Sequence, residues 1–440
     1  MSITQETLHL IVNPVSGHGK GAEFADQTIV PILKHLAIPH LIYTTTSPGD
    51  AGNIGNKILS SQTEEGGTLN VGIVGGDGTF HEFMEGEGVS DGQVRWNVIL
   101  FPLGTANALY SSLFPPSSTS SSLQSYKSLI DSLPPLPHSE GTLYNLLSLF
   151  SFLTKTTPVY LPITQTTLSS PTGAVEQLRS HVVLSTALHA AILEDSERLR
   201  ESHQGTERFK IAAQQNASKL FYASVTLQSQ SSVEVEQWDP RKGDWVLPYS
   251  IKNTSQQSQT EFTIEGPFSY FLTTSTVDRL EPQFVISPLT SLNQYENQGY
   301  LYITIIRPLR DRFISQAEPE ERKDKLTKRA FEVVGQAYSN GNHVNLTLSQ
   351  EDELNSFELE NKGKGEPVVE VFRCDSFEWI PSNDKGKVEG LESGNERLVC
   401  ADGALHTIPQ GGLAKVKVED KKHGKGFYVF ASVDPHHRGK

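Results

Sequence analysis

The residues best suited to chemistry lie in Val74-Gly75-Gly76-Asp77-Gly78-Thr79, followed by Phe80-His81-Glu82. Two glycines before the acid and one after it allow a backbone shape closed to residues with a Cβ. Such a turn presents Asp77 beside exposed amides, where a carboxylate can hold Mg²⁺ or take the proton of an attacking hydroxyl. Asp and Gly also favour turns that have no function. What singles this one out is its setting between an apolar run and a helical pattern. Asn13-Pro14-Val15-Ser16-Gly17-His18-Gly19-Lys20-Gly21 shares that setting. Its glycines would let main-chain N–H groups approach an anion, with the positive end of a helix behind them. The spacing fits neither a Walker A loop nor the dinucleotide fingerprint, and an ordinary strand-to-helix turn is the alternative. Phe101-Pro102-Leu103-Gly104-Thr105-Ala106-Asn107-Ala108-Leu109 is the third case. There Gly104 and Thr105 suit phosphate, although taken alone they would pass for a helix cap.

Three turns can act together only if the elements before them end at one edge. Leu8–Val12, His40–Tyr43, Leu69–Val74 and Trp96–Phe101 read as strands. Gly21–Leu36 (interrupted at Pro31), Asp50–Leu59, Phe80–Glu87 and Ala106–Leu113 read as helices. Repeated β-α units with continuous apolar strands predict a doubly wound parallel sheet, which binds ligands at the carboxyl ends of its strands. Residues 115–142 are rich in Ser and Pro and read as a mobile loop with a short helix, and Leu143–Leu153 as a helix closing the first domain. Beyond Pro158 the strand-like segments include Val159–Thr166, His181–Thr186, Phe221–Leu227, Phe268–Ser275, Tyr300–Ile306 and Val368–Arg373, with one charged helix at Glu318–Tyr338. The predicted fold class is therefore α/β plus β: an α/β nucleotide-binding domain over 1–155, then a larger antiparallel β-sandwich over 156–440. The polar stretches 349–366 and 382–396 read as disordered insertions.

The set Asn13-Pro14-x-Ser16-Gly17-x-Gly19-x-Gly21, Gly75-Gly76-Asp77-Gly78-Thr79-x-His81-Glu82 and Pro102-Leu103-Gly104-Thr105-Ala106-Asn107 resembles the diacylglycerol kinase catalytic family, which includes sphingosine and ceramide kinases. A lone Gly-Gly-Asp-Gly would not carry this, because NAD kinases and phosphofructokinases have similar turns. The resemblance implies ATP and Mg²⁺ as cofactors. It implies nucleotide contacts from Asn13, Pro14, Val15, the Thr45–Gly49 segment, Glu82, Gly104, Thr105 and Ala106. Gly75, Gly76, Asp77 and Gly78 would face the substrate, with Asp77 as the catalytic carboxylate. Arg200 and Arg208 match arginines that reach the ATP phosphates, a role suited to the guanidinium fork; a solvated helix face is the alternative. Asp402-Gly403 matches a late Asp-Gly-Glu turn at the nucleotide.

There are departures from the family pattern. Ala404 stands where that turn carries Glu. The substrate-recognising Asp of sphingosine kinases falls near Leu193, with Glu194 one position off. The Asp-Gly-x-Leu-Asp strand of bacterial members reads Gln298-Gly299-Tyr300-Leu301-Tyr302, which predicts that their structural metal site is absent.

Composition narrows the rest. A net charge of −14 argues against a nucleic-acid partner and against electrostatic docking on anionic lipid. Two cysteines build no disulfide framework, which points to a reducing cytoplasmic location. No segment reaches the roughly 20 apolar residues of a membrane span. The sequence thus predicts a phosphotransferase using ATP on a membrane-derived lipid hydroxyl, sphingoid base or diacylglycerol type, through transient, peripheral contact with membranes. A non-catalytic lipid- or nucleotide-binding relative, or a soluble-substrate kinase of the NAD kinase type, are the alternatives. Leu143–Leu153 and the cluster Phe268, Tyr270, Phe271 and Leu272 suit a core, and the first of them is expected near the lipid entrance. Oligomeric state is left open.

Overall fold

The structure, a computed structural model, describes residues 7–61, 67–90, 94–135, 139–203, 207–229, 234–248, 261–290, 300–349, 358–382, 386, 388–419 and 425–431. Four apolar runs become the parallel strands β1 (Leu8–Val12), β2 (His40–Thr44), β3 (Thr68–Gly75) and β4 (Arg95–Pro102). They lie in the order β2-β1-β3-β4, and the register places Val12 beside Val74 and Gly75 beside Pro102. Every residue of β1 is buried, and only the first residue of β3 is not. This continuous burial explains why β1 and β3 show no alternation in sequence, whereas the edge strand β2 leaves Leu41 and Ile42 exposed.

The connecting helices begin and end where local chemistry dictates. The helix at Asp50–Ser60 opens after Gly49, whose φ of 83° is left-handed. The segment from Gly21 runs through a wider π turn at Ala25–Ile29 and resumes as Val30–His35. Pro31 therefore sits in a first turn, where its missing N–H costs little, and does not end the helix. The motif helix spans Asp77–Met84 and so starts at the acid itself, three residues before the predicted Phe80.

Three expectations need correction. Residues 115–142 include helices at Thr119–Ser125 and Lys127–Ser132, with another at Glu140–Tyr144. Helix Leu147–Leu153 is core: Leu147, Leu149 and Phe150 are buried, and the Ser148 hydroxyl accepts the Leu100 N–H of β4. Phe268, Tyr270, Phe271 and Leu272 are buried as well. The polar stretches are ordered in part. Leu359–Asn361 pairs with Leu346–Leu348, Glu392–Ser393 pairs with Lys219–Leu220, and the Trp379 indole N–H donates to the Glu396 carbonyl. Residues 350–357, 383–385 and 387 fall outside the described residues.

Most of the strands after Pro158 form two antiparallel sheets, of six and eight strands. Val225, Phe377, Trp379 and Val416 from one sheet and Phe271, Ile303, Phe372 and Val399 from the other belong to one hydrophobic cluster. The last described strand, Gly426–Val429, returns to the first sheet and pairs in parallel with β4, with Val159–Tyr160 beyond it. The first sheet is thus built from both ends of the sequence. Among the described residues no helix is long and apolar enough to cross a membrane.

Candidate active site

The carboxyl ends of β1, β3 and β4 bring the three glycine turns together. Asn13 Nδ2 donates to Thr79 Oγ1 at 3.0 Å, and Asn13 N–H donates to the Val74 carbonyl at 2.9 Å. Leu103 N–H donates to the Gly75 carbonyl at 2.9 Å. The tightest approach is backbone on backbone. A Cβ added to Gly104 would stand 2.4 Å from Gly76 Cα, and one added to Gly76 would stand 2.7 Å from Gly104 Cα. Only glycine permits this contact, which gives both positions a physical reason. Asn107, itself left-handed at φ 52°, ties the third turn: its Oδ1 accepts Gly104 N–H at 2.8 Å, and its Nδ2 donates to the carbonyls of Pro102 and Gly104.

Gly17 and Gly19 take φ values of 60° and 83° in the first turn, and Val15 is largely exposed at its lip. Thr45 is buried, its N–H donating to Val12 O, and Gly49 is exposed on the neighbouring loop. Thr105 is exposed and Ala106 half-buried, because the helix after the third turn, Ala108–Leu113, begins only at Ala108. Left-handed glycines beside a strand end turn main-chain N–H groups outward, the arrangement that suits the phosphates of a nucleotide. Gly78 has open space where a Cβ would be.

Asp77 sits between the second and third turns. Its Oδ2 accepts the Ala108 N–H at 2.8 Å and its Oδ1 the Leu109 N–H at 3.1 Å, so it caps the helix Ala108–Leu113. Burial raises its pKa above the ordinary carboxylate value, against the charge of His181 and these two N–H bonds. Each oxygen keeps a second lone pair, so the carboxylate fits a hard cation such as Mg²⁺ or a hydroxyl donor. Glu82 follows on the same helix, with its carbonyl against Gly52.

The contacts that Asp402 makes with this helix were not legible in sequence, although the residue itself was singled out. Asp402, at the tip of the hairpin between Leu398–Ala401 and Ala404–Thr407, adopts φ 48° and turns a fully buried carboxylate inward. It accepts the main-chain N–H groups of His181, Val182 and Val183 at 2.8–2.9 Å. Oδ2 also lies 3.1 Å from His81 Nδ1 and 2.6 Å from His181 Nδ1, the latter off the line of a good hydrogen bond. Burial pushes the Asp402 carboxyl up, but the His181 charge and the histidine contacts outweigh it and hold the group ionised far below the carboxylate range. An ionised carboxylate only accepts, so His81 Nδ1 carries the proton. Burial lowers the His81 pKa, yet the bond and charge of Asp402, with Glu85 and Glu82, leave it raised. One atom each from His81, His181 and Asp402 fall within 4.8 Å of one another, a spacing compatible with a cation. The carboxylate is already filled by the loop amides and the imidazole, however, so its geometry is that of an anchor.

Other predicted residues stand apart from this cluster in their contacts. Arg200 and Arg208 both pair with Glu197, at 2.7 and 3.0 Å. Leu193 packs against Leu398 and Cys400, Glu194 pairs with Arg198, and Gly403 is exposed at the hairpin tip. Gln298 and Gly299 lie outside the described residues.

No curated protein matches the chain. A diacylglycerol kinase structure from Bacillus anthracis is similar over 99% of both chains, at 12% identity and a TM-score of 0.47. Yeast NADH kinase, solved with NADH, is similar over 98% of this chain and 84% of its own, at 10% identity and a TM-score of 0.36. The model of the diacylglycerol kinase catalytic domain matches residues 7–132, the stretch that holds all three glycine turns. Residues 7–132 are thus similar to the diacylglycerol kinase catalytic domain, a family of phosphotransferases.

Proposed function

We propose that this protein transfers the γ-phosphoryl group of ATP to the hydroxyl of a lipid of the diacylglycerol or sphingoid class. The observation that carries the reading is the packing of Gly76 on Gly104, which locks the second and third turns into one lip beside the first. Phosphoryl transfer asks the protein mainly for positioning and for charge stabilisation. The first and third turns would hold the nucleotide phosphates through main-chain N–H groups, with Thr105 adding a hydroxyl. Mg²⁺, which fits the outward lone pairs of Asp77, supplies neutralising charge on those phosphates when bound. Asp77 would accept the hydrogen bond of the acceptor hydroxyl and aim its oxygen at phosphorus. The two antiparallel sheets, read as a sandwich, would present the acceptor, with Asp402 reaching from them to the motif helix. The lipid nature of the acceptor rests on the family match of residues 7–132, since Leu147, Leu149 and Phe150 of the segment expected at a lipid entrance are buried.

The test is an assay with labelled MgATP and diacylglycerol, sphingosine and ceramide in mixed micelles, beside NAD as a soluble acceptor. Label in one of the lipids is the expected result. Label only in NAD, or binding of ATP with no transfer to any acceptor, would remove the lipid kinase reading.

A further inference from the structure

We propose that Asp278, on the antiparallel unit, aims the Asp77 carboxylate through the helix Ala108–Leu113. Asp278 is a positioning residue, and Ser112 is the contact through which it acts. This rests on the kinase reading above and adds a condition to it: turnover requires the two units to be joined at this point.

The helix Ala108–Leu113 is held from outside at both ends. At its start, Asp77 Oδ2 accepts the Ala108 N–H at 2.8 Å and Oδ1 the Leu109 N–H at 3.1 Å. One turn on, Ser112 Oγ donates to Asp278 Oδ1 at 2.9 Å and accepts the Asp278 N–H at 3.2 Å. The two holds are four residues apart, about 6 Å along the axis. A six-residue helix has few internal bonds, so contacts at its ends set its place. All six residues are buried, and close packing passes a shift at Ser112 on to Ala108.

Asp278 is itself firmly placed. Arg279 donates to it from Nε at 2.8 Å and from Nη2 at 2.7 Å, and from Nη1 to the Pro282 carbonyl at 3.0 Å. The Asp278 carbonyl accepts the Ser287 N–H at 2.9 Å. Two residues earlier, Thr276 Oγ1 donates to the His181 carbonyl at 2.9 Å, in the segment whose N–H groups Asp402 holds. This segment begins directly after the strand Tyr270–Thr274 of the eight-stranded sheet. Leu109 and Tyr110 line the cavity beside Asp77, with Gly76, Phe80 and Asn107. The helix is therefore a wall of the reaction centre as well as the seat of its carboxylate. The sheets that would present the acceptor grip the same helix from its far end, and so set the direction of Asp77. A misplacement of about 1 Å at such a group can cost about 100-fold in rate.

Ser112→Ala cuts the link and leaves Asp278 paired with Arg279. The full-length protein is assayed with MgATP and the lipid it labels, well below its unfolding midpoint, and MgATP binding is measured separately. kcat should fall by about 10-fold or more. The KM for the acceptor and the Kd for MgATP should stay within about threefold. The loss should disappear once Asp77 is gone: adding Ser112→Ala to Asp77→Asn should change the residual kcat by less than about threefold. Asp278→Ala should give both results too, since it takes away the acceptor of the same bond. A folded Ser112→Ala enzyme with kcat within about threefold of normal overturns the proposal alone. So does a loss of equal size in both backgrounds, which is what a merely structural role would give. If Ser112→Ala fails to fold, the same two comparisons on Asp278→Ala decide. Failure of the unsubstituted protein to phosphorylate any acceptor overturns the kinase reading, and this proposal with it.

Discussion

Asp77 and Asp402 are built alike and tuned in opposite directions. Both are followed by glycine, both accept main-chain N–H bonds, and both lie near His181. Asp77, at the end of a parallel strand, accepts two such bonds, and burial leaves its pKa raised. Asp402, at the tip of an antiparallel hairpin, accepts three and adds two histidines, and its pKa is driven down. The number of donors aimed at the charged form, more than burial, separates them. One carboxylate thus keeps capacity to accept a hydroxyl, while the other is spent on holding structure.

The two carboxylates should break differently. Asp77→Asn keeps one accepting oxygen but turns an NH2 toward the other helix N–H, so folding should survive at a cost of about 1–3 kcal/mol. Turnover should fall by about 10³-fold or more, roughly 4 kcal/mol in the barrier, while MgATP still binds. Steady-state kinetics beside a denaturant titration would separate the two effects. Undiminished turnover would refute the role given to Asp77. Asp402→Ala should show the reverse balance. It strands three buried N–H groups and a histidine pair, and should cost about 3–5 kcal/mol of stability. A chemical unfolding midpoint unchanged by that substitution would show that the hairpin tip does not anchor the fold.

The same comparison explains what could be read from the sequence. The parallel sheet was legible because its signals are local. Leu8–Val12 and Asp50–Ser60 fall within one residue of their predicted ends, and each glycine turn sits in the sequence next to the strand that positions it. Asp402 was visible as a motif residue, but its contacts were not. Its bond to His81 joins residues 321 apart, and His181 lies in a strand-like run that resembles many others. The return of Gly426–Val429 to the first sheet is equally non-local, since four apolar residues carry no mark of the sheet they will join. The misplaced lipid entrance has a different cause. Leu147 and Phe150 are as apolar in a core as they would be beside a lipid, so composition cannot tell these settings apart.

A smaller effect is expected where the two turns touch. Gly104→Ala would press a methyl group onto Gly76 Cα, a backbone atom that cannot rotate away. The strain should cost about 1–3 kcal/mol and weaken MgATP binding by about tenfold or more, because the lip that holds the phosphates must open. Gly78→Ala is the control, since its Cβ meets open space; equal losses in both variants would refute the contact argument.

The smallest effect is the dependence of stability on pH, and its sign follows from the pair itself. The folded pKa of His81 is raised above 6.5, so the His81–Asp402 attraction is fully present below that value. It is lost as pH rises through the folded pKa of His81. The folded pKa of Asp402 is depressed below 3.8, so its share is present above that value and is lost only in strong acid. Between these limits both groups are charged and the pair contributes most. Denaturant midpoints measured across neutral and mildly alkaline pH should therefore decline as the imidazole deprotonates. Asp402→Asn should flatten that decline, because the neutral amide gives the imidazolium no charge to lose. A slope that persists in Asp402→Asn would assign the titration to another group and separate His81 from the carboxylate that orients it.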